Sequence, residues 1–161
     1  MKGIIVSDAT PIIAFSKINR LKLLEDIVGD LIIPEGVSRE LFAYKKADTG
    51  VLKECRWIET KTVNSQSDVN LLLPTLDKGE SEVIILAKEI NADIVVIDEL
   101  SARKVAIMLG MPVIGTIGLL IAAKEKGLIE KVKPIWDEMI AKGIRYSKEF
   151  YRKILNEIDE I

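Results

Sequence analysis

Four carboxylates stand where the local pattern aims them at the ends of buried strands: Asp8, Glu40, Glu80 and Asp98, with Glu82 and Glu99 as neighbours. Asp8 closes the apolar run Gly3-Ile4-Ile5-Val6-Ser7 and leads at once into a helix-like stretch beginning at Ala9. Asp98 closes Ile94-Val95-Val96-Ile97 in the same way and is followed by a helix-like stretch from Leu100. Ligands bind in the crevice outside the carboxyl ends of the strands of an open α/β sheet, so acids there are placed for chemistry. Several acids converging on one crevice repel one another unless a cation is present. An all-oxygen donor set suits Mg²⁺ or Mn²⁺, and the expected chemistry is phosphoryl-ester hydrolysis. In that reaction one or two ions activate water and stabilise the attacking and leaving oxygens. Thr10, two residues after Asp8, is placed to hold a water of such an ion or to orient Asp8, and Arg103, one turn beyond Asp98, to meet a substrate phosphate.

Each residue also has a purely structural use. Asp8 and Asp98 are able to cap the helices that follow them, Glu80 to complete a capping box begun by Asp77, and Glu40 to sit solvated on a helix. Thr10 serves equally as a helix-start hydroxyl. Lys17, Arg20 and Lys22, and Arg39, Lys45 and Lys46 around Glu40, read as solvated surface charges. The tail cations Arg145, Lys148, Arg152 and Lys153 read as helix partners of Glu149, Glu157 and Asp159. Trp57 and Trp136 read as core or interface residues rather than base-stacking platforms.

Composition narrows the chemistry further. The 161 residues include no histidine, which removes Ser-His-Asp and Cys-His nucleophile systems and histidine-rich zinc sites together. The single cysteine, Cys55, has no second cysteine for a bridge or a Cys-x-x-Cys pair. A net charge of −2 provides no global field to gather a polyanion, so any nucleic acid must meet local basic patches. No tract approaches the roughly 18 apolar residues of a membrane helix, and the short opening run is no signal peptide. A cytoplasmic location is expected.

These acids need a scaffold, and the chain alternates strand-like and helix-like segments. Strands are expected at 3–7, 30–34, 57–63, 94–97 and 112–116. Helices are expected at 11–18, 21–28, about 35–44, 77–88, 100–109, 117–126, 134–142 and 147–160, with connections at 45–50 and 64–68. Short apolar strands separated by helices argue for a mostly parallel sheet covered on both faces. The fold expected is α/β: one three-layer α/β/α domain over residues 1–161, with 128–161 as a helical C-terminal extension.

Taken in order, Val6-Ser7-Asp8-Ala9-Thr10-Pro11-Ile12-Ile13-Ala14, Ile33-Pro34-x-x-Val37-x-x-Glu40-Leu41, Gly79-Glu80-Ser81-Glu82-Val83-Ile84 and Ile97-Asp98-Glu99-x-x-Ala102-Arg103-x-Val105-Ala106 resemble the PIN-domain family. With Gly115-Thr116-Ile117-Gly118-Leu119-Leu120 and the helical tail, the chain more closely resembles an uncharacterised prokaryotic PIN-like branch related to VapC-type toxin ribonucleases. The resemblance implies a metal-dependent ribonuclease with Asp8, Glu40, Glu80 and Asp98 as its catalytic, metal-holding set for Mg²⁺ or Mn²⁺. Many relatives carry aspartate where Glu80 stands, which leaves open whether Glu80 or Glu82 reaches the ion. The resemblance also implies an RNA substrate, an antitoxin partner and a homodimer. Two rivals stand beside it. A phospho-receiver would want an acidic pair at the first strand end and a lysine after the last strand, and neither is clear here. A catalytically silent RNA- or partner-binding module would keep the same acids.

Overall fold

The computed structural model describes residues 1, 3–44 and 55–161. The connection expected at 45–50, with Lys45 and Lys46, lies outside the described residues. The strands are β1 (Ile5–Ser7), β2 (Leu31–Pro34), β3 (Ile58–Lys61), β4 (Ile94–Val96) and β5 (Val113–Ile114). They form one all-parallel sheet in the order β3-β2-β1-β4-β5. Among the described residues nine helices flank it: α1 (Ala9–Lys17), α2 (Leu21–Val28), α3 (Glu35–Ala43), α4 (Gln66–Leu72), α5 (Lys78–Glu89), α6 (Leu100–Met108), α7 (Thr116–Glu125), α8 (Val132–Ala141) and α9 (Lys148–Glu157). The α/β class is as expected.

The strands are short because the chain turns each one into a helix at its carboxyl end. All three residues of β1 are buried, and Asp8 ends it by adopting an extended cap conformation. Pro34 ends β2 and stands immediately before α3; having no N–H, it cannot continue as a ladder donor. Two expectations need correction. The polar stretch at 64–68 is not all loop: Ser65 caps α4 by accepting from the Asp68 backbone N–H at 3.3 Å. That helix buries only Val69, so no apolar stripe betrays it. The last strand ends at Ile114 rather than Thr116, because Gly115 and Thr116 form the start of α7.

The core runs through the sheet into the helices, with Ile12, Phe15, Leu24, Ile27, Ile84, Leu86 and Trp136 fully buried. Each large apolar side chain so placed contributes roughly 1.5–3 kcal/mol relative to exposure. In the tail, α8 buries Val132, Ile135, Trp136 and Met139, an i, i+3, i+4, i+7 stripe. At the chain's end Glu160 accepts from the Val132 and Lys133 backbone N–H groups at 2.9 and 2.8 Å, and from Lys124 Nζ at 2.9 Å. A carboxylate at the N-terminus of α8 satisfies donors that the helix itself leaves open.

Candidate active site

Strand order decides which chain ends meet. From β1 the sheet grows to β2 on one side and to β4 on the other, so β1 and β4 border the point where the winding reverses. Ser7 is in register with Val96, and the Asp8 backbone N–H donates to the Val96 carbonyl at 3.0 Å. Asp8 and Asp98 therefore follow adjacent parallel strands.

The Asp8 carboxylate accepts from the Ala9 backbone N–H at 2.9 Å and is only 6% exposed. Its capping use is thus real. Burial pushes its pKa up to about 7, the Ala9 bond opposes this, and the charges of Glu40, Asp77 and Glu80 push it further up. A carboxyl poised near neutrality between protonated and ionised forms is unusual for a mere cap.

Glu40 comes from α3 and Glu80 from the first turn of α5. Asp77 and Glu80 form a complete capping box, with Glu80 N–H to Asp77 Oδ1 at 2.8 Å and Asp77 N–H to Glu80 Oε1 at 3.1 Å. Glu40 is exposed as a residue, but its carboxyl end lies against Gly79. A Cβ added there would collide with Glu40 Oε1, so the lack of a side chain at 79 permits this approach. Burial of the group, then Asp77, Glu80 and Glu82, raise the Glu40 pKa. Burial raises that of Glu80 against its Asp77 hydrogen bond, with Asp77 and Glu99 adding to the rise. Glu82 is engaged elsewhere: it accepts from the Gly36 N–H at 3.2 Å and faces Arg39 at 3.7 Å.

Asp98 behaves differently. Its oxygens accept from the Thr116 backbone N–H at 2.7 Å and from the Thr116 hydroxyl at 2.5 Å. Gly115 makes room, since a Cβ there would lie 2.8 Å from Asp98 Oδ1 and 2.9 Å from Arg103 Nη1. Arg103 itself donates to the Ile97 carbonyl at 2.8 Å. Asp98 is not the cap of α6: Glu99 takes that role, accepting from the Ala102 N–H at 2.8 Å. The cavity that Asp98 and Arg103 line, about 680 Å³ in volume, has Tyr146 but none of Asp8, Glu40 or Glu80 in its wall.

The structure thus couples Asp8, Glu40 and Glu80 by charge, adds Asp77, and sets Asp98 on the neighbouring strand end with its carboxylate turned toward α7. Thr10 is exposed and makes no hydrogen bond to Asp8. Among the described residues no three acidic side chains are grouped tightly enough to hold an ion as they stand. The donor chemistry nevertheless fits a hard cation: burial raises the pKa of all three carboxyls, Glu40 and Glu80 add to the rise at Asp8 and Glu80 to that at Glu40, and Mg²⁺ commonly takes one or two carboxylates and keeps its waters.

Two features were missed in the sequence. Thr116 is fully buried and holds Asp98; a threonine at a strand-to-helix junction was its one signal. Asp77 was read as a cap and is also a charge in the cluster. Several basic groups are already occupied. Arg20 forms a two-pronged pair with Glu138 at 3.0 Å, Lys22 pairs with Asp26 at 2.9 Å, and Lys17 lies over the Tyr44 ring at 5.7 Å. The tail cations Arg145, Lys148, Arg152 and Lys153 make no ion pair among the described residues, contrary to the helix pairing expected.

No helix of the described residues is long and apolar enough to cross a membrane. No curated protein matches the sequence. The family model DUF3368, described as a PIN domain, matches residues 4–160. With that match over nearly the whole length, on an all-parallel five-stranded sheet whose first strand ends in a coupled carboxylate, the chain belongs to the PIN-domain family.

Proposed function

We propose that this protein is a metal-dependent endoribonuclease that cleaves single-stranded RNA, with Asp8, Glu40, Glu80 and Asp98 as its acidic set. The observation that carries the reading is Asp8: a buried carboxyl at the end of the central strand, pushed up to about pKa 7 by burial and by Glu40, Asp77 and Glu80. Capping accounts for Asp8, Asp77 and Glu80 one at a time, but their charges and that of Glu40 add up at Asp8, and a divalent cation relieves that repulsion. Mg²⁺ or Mn²⁺ held by Asp8 with Glu40 or Glu80 would supply water activation and charge neutralisation at the scissile phosphate. Asp98, fixed by Thr116, positions the second strand end and is able to accept hydrogen bonds from waters around the ion. Arg103 stands beside it as a phosphate contact. The toxin role, an antitoxin partner and a homodimer rest on the family resemblance.

The hold of Thr116 on both oxygens of Asp98 favours a second reading, a silent RNA-binding module that retains the acids for stability. Incubation of the pure protein with mixed single-stranded RNA separates the two. The nuclease reading expects cleavage with Mn²⁺ that disappears with EDTA and falls at least about a hundredfold in Asp8→Asn, the scale on which losing one electrostatic contact to the transition state acts. A folded wild type that binds RNA but leaves it intact supports the silent module. Equal cleavage by Asp8→Asn points to a contaminant.

A further inference from the structure

The cavity beside Asp98 lies where β5, α6 and α7 meet the C-terminal tail, and its volume of about 680 Å³ is in the range of small-molecule sites. Its wall is mostly apolar, with Ile114, Ile117, Ile121 and Phe150 prominent. Two aromatic rings border it: Tyr146 and Phe150 are stacked at 6.4 Å with 21° between planes, and both pack edge-on against buried Trp136. The polar groups are few: two arginines, Arg103 and Arg145, with Asp98, Tyr146 and Ser147. Arg145 is exposed and makes no ion pair among the described residues, and Arg103 is half-buried. Asp98 adds a carboxylate to the wall, both of whose oxygens accept from Thr116, so an anionic group is favoured at the exposed Arg145 rather than beside Asp98.

An apolar wall with aromatic rings, bordered by arginines, suits an unstacked base joined to a phosphate. We infer that this cavity seats one nucleotide of single-stranded RNA, the base against Ile121 and Phe150 and a phosphate toward Arg145. The assignment rests on the RNA-cleaving reading above and deepens it, because a nucleotide held beside Asp98 fixes the register of the strand that passes the acids. Burial and the Asp98 charge keep the Tyr146 phenol protonated well beyond neutral pH, so it remains a donor to a base edge or sugar.

The test is equilibrium binding of a fluorescein-labelled, mixed-sequence RNA decamer in EDTA, compared with an abasic ribose-phosphate strand of the same length. Wild type should bind the RNA about tenfold or more tightly than the abasic strand, the scale of one stacked base. Ile121→Trp, which fills the cavity, and Phe150→Ala, which removes a ring, should erase that difference and leave abasic binding unchanged. Arg145→Ala, at an exposed position, should weaken both strands. Thermal melts establish that each variant is folded, and Arg145→Ala tests the site if the cavity variants are not. Equal binding of the two strands by wild type overturns the proposal, as does full RNA affinity in folded Ile121→Trp. Micromolar binding of AMP or UMP, with the two strands bound alike, identifies a free nucleotide as occupant and removes RNA. Pocket-dependent binding without Mn²⁺-dependent cleavage defeats the nuclease reading alone, whereas cleavage indifferent to Ile121→Trp defeats the pocket alone.

Discussion

Asp8 and Asp98 have the same local setting in the sequence, a strand end before a helix, yet they should respond oppositely to substitution. Asp8 has its folded pKa raised from 3.8 to about 7, so the native state binds a proton more tightly than the unfolded chain. Its contribution is fully present below about pH 4 and is lost as pH rises through 7. Asp8→Asn should therefore raise the melting temperature of the metal-free protein at pH 8, by roughly 2–4 kcal/mol of stability, and flatten its pH dependence between pH 4 and 7. Asp98→Asn should do the reverse, losing about 1–2 kcal/mol because an amide nitrogen replaces one acceptor of the two Thr116 bonds. Parallel thermal melts in EDTA measure both; a stabilised Asp98→Asn contradicts the Thr116 contacts. Asp8 was legible because an acid that follows an all-apolar strand stands out. The orientation of Asp98 was not legible, since it depends on a threonine eighteen positions away that only the β4–β5 pairing brings near.

At the level of elements, α3 and α5 meet where Glu40 lies over Gly79. Gly79→Ala should add helix propensity, up to about 1 kcal/mol, because the glycine has an ordinary helical conformation, while its methyl displaces the Glu40 carboxyl. The expected outcome is a metal-free protein at least as stable as wild type, with a smaller rise in melting temperature on addition of Mn²⁺. An undiminished Mn²⁺ response removes Glu40 from the cation site. Most elements were readable from pattern: apolar runs gave the strands, Asp77 and Glu80 marked the start of α5, and glycines followed α6 and α7. The helix α4 escaped because one buried valine leaves no period to detect. The end of β5 was misplaced because Val113-Ile114-Gly115-Thr116 has no break in composition, and the change of direction is made by the bonds from Thr116 to Asp98.

Across the whole molecule two ionisations pull stability in opposite directions. Glu160 is buried, which opposes its charge, but Lys124 and the backbone N–H groups of Lys133 and Val132 outweigh burial and hold its pKa below the usual 4.5. Its stabilisation is present above that value and is lost as pH falls through the lower folded pKa. With Asp8 acting in the other sense, the metal-free protein should be most stable near pH 4, and Mg²⁺ at millimolar concentration should move the optimum toward neutral pH, because the bound cation favours ionised acids. Melting temperature against pH, with EDTA and with Mg²⁺, measures the displacement; coincident optima remove the cation site. Glu160→Gln should lower stability by about 1–3 kcal/mol above pH 5 through weakened bonds to Lys124 and the start of α8. The Asp8 backbone is tied into the sheet by its N–H bond to the Val96 carbonyl. That amide should exchange with deuterium only through large-scale opening, so the proposed cation would meet a carboxylate whose main chain is stationary. Adjustment falls on Glu40 at the end of its own side chain, whose reorientation toward an ion should take place on the picosecond-to-nanosecond scale of rotamer motion rather than wait for strands to move.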